Sequence, residues 1–168
     1  PRAAPLEIRV TTSSASLFGP FGFRNGKTIS LRGHTKTVAS LHLAQEAVVS
    51  AGHDLLVKVW TLAGACVATL HGYSEVPYYH ASSENRLFTA CLKSSRESEK
   101  ARPLTSDSIH VWDLRTGKRQ TKLCLKAAGA VEDLCVSQGF LVSAHRTGEV
   151  HVWQLDHSSI THLHGYNL

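Results

Sequence analysis

Residues 33–61, GHTKTVASLHLAQEAVVSAGHDLLVKVWT, decide the fold. Polar and apolar side chains alternate along residues 56–60 and end on Trp60, which is the pattern of a half-buried β-strand. The run Val48-Val49-Ser50 predicts a second strand, and the apolar spacing of residues 38, 41 and 43 indicates a third before it. No stretch of the chain carries convincing helical periodicity, so the sequence predicts an all-β protein.

The same ending occurs twice more along the chain. Ser108–Asp113 and residues 149–153 also alternate, and they place Trp112 and Trp153 where the first unit has Trp60. The strands predicted before these endings are residues 87–89 and 141–143, and those predicted after the three tryptophans are residues 66–70, 120–124 and 160–163. Each unit is therefore predicted to be four short strands joined by tight turns.

In these residues the chain resembles the WD40-repeat family of β-propellers. In that family a His, a Ser or Thr, an Asp and a Trp form a hydrogen-bonded relay within one blade. The first repeat matches all four positions, whereas Gly72-Tyr73 replaces Gly-His in the second and Thr147 replaces the Asp in the third. The matching relay residues are His34, Ser50, Asp54, Trp60, Thr89, Trp112, Ser143 and Trp153. The resemblance implies that the relay is structural and not a catalytic triad.

The number of repeats is too small to close a propeller. Such rings typically have about four to eight blades, and the repeats here are residues 33–70, 71–124 and 125–168, with residues 27–32 as the outer strand of a preceding blade. Residues 1–26 are an extension or the remnant of that blade. The chain begins with Pro1 and contains no Met, so we expect a piece of a larger propeller, completed by the same or another chain. A polar insertion at residues 93–103 is either a solvated loop or a partner-binding one.

Composition narrows the function classes. The 168 residues carry a formal net charge of +5 and 42% hydrophobic residues, which are globular values, and no apolar run approaches the roughly 20 residues of a membrane span.

The four cysteines lack metal or redox spacing and sit among apolar neighbours, which predicts buried thiols in the cytoplasm or nucleus. His162 and His164 lack a third ligand placed by sequence, so no metal or other cofactor is expected. No catalytic motif is present, and we expect no enzyme activity.

The resemblance implies a scaffold that docks other proteins or peptides on one face of its blades. The family's partner-facing positions follow the Gly-His and precede the relay Asp. In this sequence they are Thr35, Thr37, His53, Ser74, Val76 and Arg146.

Two narrower interpretations remain open. Trp112-Asp113-Leu114-Arg115 is similar to the tail of WD40 substrate receptors in cullin–RING ubiquitin ligases, in which the Arg helps to dock the propeller on the adaptor; Arg115 is the matching residue. Alternatively, the sequence pI of about 9.2 favours contact with phosphate groups in an RNA-containing assembly. The basic residues between Arg115 and Lys126 would serve that contact, although a solvated edge strand explains them equally well.

Overall fold

A computed structural model describes residues 8–12, 27–92, 108–124 and 129–167. The predicted insertion at residues 93–103 and most of residues 1–26 lie outside these ranges. The described strands are β1 Ile8–Thr12, β2 Lys27–Leu31, β3 Val38–Ala44, β4 Ala47–Gly52, β5 Val57–Thr61, β6 Cys66–Leu70, β7 Pro77–Ser83, β8 Arg86–Cys91, β9 Ser108–Asp113, β10 Arg119–Cys124, β11 Val131–Ser137, β12 Phe140–His145, β13 Glu149–Leu155 and β14 Ile160–Asn167.

The strands form three four-stranded antiparallel sheets and one two-stranded sheet, which confirms the predicted all-β architecture. We call β3–β6 the first blade, β7–β10 the second and β11–β14 the third; β1 and β2 form the remaining pair. In each blade the strands pair in chain order. The inner strands β3, β7 and β11 lie next to one another, so the three blades are arranged side by side around a common axis.

Each inner strand begins with the same irregularity. Its register against the next strand shifts between Val38 and Ser40 in β3, and at the equivalent positions in β7 and β11. A bulge of this kind bends the strand and redirects side chains near its end. Because it recurs in all three blades, the ends of the inner strands present equivalent positions in the same way.

The apolar core lies between the blades. Trp60 packs with Leu31 and Val48, which joins the first blade to the β1–β2 pair. Trp112 belongs to the cluster between the first and second blades, and Trp153 to the cluster between the second and third. The central strands β4 and β8 are therefore buried almost continuously, because each is packed on both faces.

A buried arginine of the second blade forms hydrogen bonds to the third blade. Arg86 Nη1 donates to the carbonyl of Ser159 at 3.2 Å, and Nη2 donates to the carbonyl of Asp156. Both carbonyls belong to the turn between β13 and β14. A charged group is seldom this buried without hydrogen-bonded partners, and here the turn supplies them.

The two outermost faces of the segment are open. Leu41 and Leu43 on β3 are 57% and 69% exposed, whereas Leu134, at the position of Leu41 in the third blade, is 6% exposed. On the other side, Val142 and Val152 are only half-buried, although the matching positions in the first blade are fully covered by the second blade. The faces that would meet neighbouring blades are thus partly uncovered, as expected for part of a larger ring.

The cysteine prediction is wrong for three of the four residues. Only Cys91 is buried, where burial raises the pKa of its thiol to about 12. Cys66 and Cys124 are exposed because they lie on the outer strands β6 and β10, and Cys135 because it lies on the open third blade. Among the described residues, no helix is long and apolar enough to cross a membrane.

Candidate docking site

The relay of the first blade is complete. His34 Nδ1 lies 3.0 Å from each carboxylate oxygen of Asp54, and His34 Nε2 lies 2.8 Å from Ser50 Oγ. Trp60 Nε1 donates to the same hydroxyl at 2.8 Å. Ser50 is fully buried and its hydroxyl is engaged by two rings, so it has no access to a substrate. The arrangement holds β4 against β5 and fixes the loop before β3.

Asp54 also fixes the backbone at the end of the blade. Its carboxylate accepts hydrogen bonds from the Thr35 N–H at 2.9 Å and from the Leu56 N–H at 3.3 Å. Burial alone would raise the pKa of Asp54, but these hydrogen bonds and the neighbouring His34 lower it overall. The carboxylate is therefore charged at neutral pH and orients both the imidazole and the loop.

In the second blade, a tyrosine replaces the histidine of the relay. Trp112 Nε1 donates to Thr89 Oγ1 at 3.1 Å, and Tyr73 Oη lies 2.9 Å from that hydroxyl. Tyr73 thus takes the place of His34. Burial raises the pKa of its hydroxyl well above the usual value, so the group stays neutral.

The third blade recruits a histidine that the sequence analysis missed. His145 Nε2 lies 2.6 Å from Ser143 Oγ, and its Nδ1 lies 3.1 Å from the carbonyl oxygen of Gly129. His145 follows Ser143 by two positions, where the first blade has Gly52. A Cβ at Gly52 would lie 2.8 Å from His34 Nδ1, so the glycine leaves room for an imidazole from the loop, whereas His145 fills that space from the strand itself.

Four of the predicted partner-facing residues, Thr37, His53, Val76 and Arg146, form main-chain hydrogen bonds at one end of the blades. The His53 N–H donates to the carbonyl of Thr37 at 2.8 Å. The Leu92 N–H donates to Val76 at 2.9 Å, and the Arg146 N–H donates to Ala130 at 2.9 Å. One main-chain bond therefore recurs in all three blades. We call these three pairs the docking edge: Thr37 with His53, Val76 with Leu92, and Ala130 with Arg146.

Most side chains of the docking edge are accessible. Thr37, His53, Leu92 and Arg146 are exposed, Val76 is half-buried and Ala130 is buried. The predicted residues Thr35 and Ser74, outside the docking edge, are also exposed. Leu92 was not among the predicted residues, because the altered repeat has no relay Asp from which to count. Its position directly after a buried strand was the only signal that could have found it.

Arg146 has a partner that the sequence did not indicate. Its Nε donates to Glu132 Oε1 at 2.5 Å, and the Tyr79 hydroxyl donates to Glu132 Oε2 at 3.4 Å. The ion pair is largely exposed, and such pairs contribute only about 0–1 kcal/mol to stability.

A cleft of about 420 Å³ lies beside the docking edge. It is formed by the first halves of all three inner strands. Its lining includes Ala39 and Leu41 from β3, Tyr78, Tyr79 and His80 from β7, and Asp133 from β11. The volume falls within the range of roughly 300–1,000 Å³ that is usual for ligand sites.

Two pairs of polar side chains connect β3 with β7 beside the cleft. His80 Nδ1 lies 3.3 Å from Ser40 Oγ, and His42 Nε2 lies 2.8 Å from Ser82 Oγ. Burial lowers the pKa of His80 to about 3, and it lowers the pKa of His42 as well. His80 is therefore neutral at physiological pH.

Solved structures resemble this arrangement. The chain matches the computationally designed protein Ika4 with a TM-score of 0.60 and 25% identity over 76% of this chain and 72% of that one. It matches a chain of the mitotic checkpoint complex with a TM-score of 0.65 and 20% identity over 87% of this chain and 44% of that one. It matches U3-55K with a TM-score of 0.65 and 18% identity over 81% of this chain and 41% of that one. These are WD40 propellers. The fold is that of a WD40 propeller segment. No protein-family model and no curated protein matches the sequence.

The similarity to these structures lies in the fold and covers only part of their propeller rings. The WD40 segment spans less than half the length of the matched checkpoint-complex and U3-55K chains. A segment of this fold implies further blades, in agreement with its two open faces. The fold often serves as a protein-interaction scaffold and is generally non-catalytic.

Arg115 lies in the exposed turn between β9 and β10. The carboxylate of Asp113 accepts hydrogen bonds from the N–H groups of Thr116 at 2.8 Å and Arg115 at 2.9 Å. The hydrogen bond from Thr116 is the main reason that the pKa of Asp113 is lowered. Asp113 thus shapes the turn of the WD40 segment and leaves the Arg115 side chain exposed.

The histidines of the third blade pack with each other. His151 Nδ1 lies 3.0 Å from His162 Nε2, and Glu149 Oε2 lies 3.2 Å from His151 Nε2. His164 does not join them but packs against Tyr166, with ring centroids 6.0 Å apart. Within the described ranges, no group of three or more His, Cys, Asp or Glu residues could hold a metal ion.

Proposed function

We propose that the WD40 segment is a protein-interaction scaffold and that partners dock on the docking edge. The observation that carries this proposal is the main-chain bond repeated in all three blades. It sets three pairs of residues at the same end of β3, β7 and β11, and most of their side chains are exposed.

The chemistry of the docking edge suits a protein partner. Leu92 and Val76 supply apolar contact at its centre, while His53 and Arg146 flank them with polar groups. Protein interfaces commonly combine an apolar centre with a polar rim, and Arg is enriched among the residues that dominate binding energy. The rigid blades beneath keep the ordering cost of binding low.

Site-specific photo-crosslinking in cells tests this proposal for a protein partner of any identity. A photoreactive amino acid is placed at His53 and, as a control, at Glu46, which is exposed in the β3–β4 turn at the opposite end of β4. Position 53 is expected to capture discrete proteins that position 46 does not capture. Identical capture patterns at the two positions would contradict docking at this end.

The ubiquitin-ligase role is a finer proposal that depends on Arg115. Its exposure in the β9–β10 turn is compatible with contact to a ligase adaptor. If the segment serves as a substrate receptor, Arg115→Ala should reduce co-precipitation of a cullin–RING adaptor, while Lys118→Ala in the same turn should not. Equal recovery with both variants would remove this assignment.

A second candidate function is contact with RNA in a larger assembly. The observation that favours it is the location of Lys118, Arg119 and Lys122, which are all exposed on or beside the outer strand β10. Phosphate contacts release counterions, so RNA binding should weaken steeply with salt. Filter binding at two salt concentrations, with an Arg119→Gln/Lys122→Gln variant, tests it. Absence of binding at low salt would exclude this function for the segment.

A further inference from the structure

We propose that the cleft beside the docking edge binds a cationic side chain of a partner peptide, with arginine preferred over lysine. The inference deepens the proposed scaffold function and rests on it, because it names the chemistry that a docked partner would present. It is carried by the shape of the cleft, the charge of its lining and the aromatic surface on one wall.

The charge of the cleft comes from Asp133. This exposed carboxylate accepts one hydrogen bond, from the Leu134 N–H at 2.8 Å, and forms no ion pair with a Lys or Arg within the described residues. The neighbouring Glu132 is already paired with Arg146. His80 adds no positive charge, since burial keeps it neutral. The lining is therefore negative, although the chain as a whole is positive.

The aromatic wall comes from Tyr78 and Tyr79. Their ring centroids are 5.3 Å apart, with an angle of 75° between the ring planes. Tyr78 is 42% exposed, so its ring is accessible from the cleft. A cation over such a ring gains about 0.5–2 kcal/mol, and the planar guanidinium of Arg can stack on it as well. Arg also forms directional hydrogen bonds to a carboxylate, which explains the preference over lysine.

The remaining surface suits the stem of that side chain. Ala39 lines the cleft from β3 and would contact methylene groups. Long cationic side chains commonly bury their stems along apolar surface while the charged end finds a polar partner. The cleft also adjoins Glu132 and Arg146, so a peptide that rests on the docking edge lies within reach of it.

The test uses the full 168-residue chain and three acetylated, amidated tripeptides, Gly-X-Gly, where X is arginine, lysine or citrulline. Citrulline keeps the shape of arginine without its charge. Titration is followed by ¹H–¹⁵N NMR at millimolar peptide. The arginine peptide should shift the amide signals of Tyr78 and Asp133, and it should bind at least about tenfold more tightly than the citrulline peptide.

Two variants probe the lining against a matched control. Asp133→Asn preserves shape and should weaken arginine-peptide binding about threefold to fivefold, because the carboxylate is exposed. Tyr78→Leu should weaken it about threefold to tenfold. Glu46→Gln removes one negative charge at the far end of the blade and should change binding less than about twofold. Unchanged NMR spectra away from the substituted residue show that each variant is folded.

Three results would overturn the assignment: no shift with the arginine peptide, equal binding of arginine and citrulline peptides, or equal effects of Asp133→Asn and Glu46→Gln. The photo-crosslinking at His53 separates this proposal from the scaffold function. If discrete partners are captured at position 53 but the peptides do not bind, only the cleft assignment fails. If the peptides bind and positions 53 and 46 capture the same proteins, the docking edge fails and the cation site stands.

Discussion

Substitution of Ser50 by Ala should destabilise the first blade severely, because a single hydroxyl connects two buried rings. Ser50 Oγ lies 2.8 Å from both Trp60 Nε1 and His34 Nε2, and all three residues are buried. The substitution removes only one oxygen atom, so little apolar contact is lost. Its cost therefore comes almost entirely from the two nitrogen atoms that remain without a partner.

The expected magnitude follows from those two atoms. A buried polar group left without a hydrogen bond costs roughly 1–3 kcal/mol, so two of them predict a loss of about 2–6 kcal/mol in the free energy of unfolding. This is a large part of the roughly 5–15 kcal/mol that stabilises a typical domain. By contrast, Ser158→Ala in an exposed turn should change the free energy by less than about 0.5 kcal/mol.

Urea unfolding monitored by circular dichroism provides the measurement. A double-mutant cycle with Trp60→Phe, which removes the indole donor, should show a coupling of at least about 0.5 kcal/mol, since both substitutions break the same hydrogen bond. A loss below about 1 kcal/mol for Ser50→Ala, or fully additive effects in the cycle, would show that the relay does not stabilise the blade as inferred.

Three further predictions concern the other blades and the pH dependence. His145→Ala should lower the free energy of unfolding by about 1–3 kcal/mol, since it leaves Ser143 without its imidazole partner; a loss below about 0.5 kcal/mol in urea unfolding would contradict the substituted relay. Arg86→Met should lower it by about 2 kcal/mol, because two carbonyls of the β13–β14 turn lose a charged donor; an unchanged urea midpoint would argue against these hydrogen bonds. Burial lowers the pKa of His80 to about 3 and that of His110 to about 4, against about 6.5 in the unfolded chain. Stability should therefore be fully present above about pH 6.5 and fall on acidification by roughly 1 kcal/mol per pH unit for each histidine. A flat profile of urea midpoints down to about pH 4.5 would contradict their neutrality.

The strands that end on Trp were predictable because polar and apolar side chains alternate along them. Two predicted strands, Cys66–Leu70 and Ser108–Asp113, have the same bounds in the structure, and the strand predicted at residues 27–32 ends one residue earlier, at Leu31. The central strands are packed on both faces, so a polar residue within them needs a hydrogen-bonded partner, as Ser50 has in Trp60. The tryptophans mark the same strand in every repeat, and they mark the same contact between blades.

The side-chain partners were less predictable, since they depend on contacts across strands. The contact of Glu132 with Arg146 and Tyr79 joins two blades, and no local spacing indicates it. Exposure of Cys66 and Cys124 was missed for a related reason. Apolar neighbours in the sequence do not bury a residue on an outer strand, where one side of the sheet has nothing to pack against.

The relay shows why degenerate repeats still form the same blade. The buried indole N–H of the Trp needs a hydrogen-bond acceptor, which is the Ser or Thr hydroxyl. That hydroxyl in turn needs a second polar group as its own partner. His34 and Tyr73 meet the second need from the loop, and His145 meets it from the strand. In the first blade, Gly52 lies two positions after the hydroxyl and leaves space for the ring of His34. A repeat can therefore lose its Gly-His and keep its fold, provided that a polar side chain enters the same space from another direction.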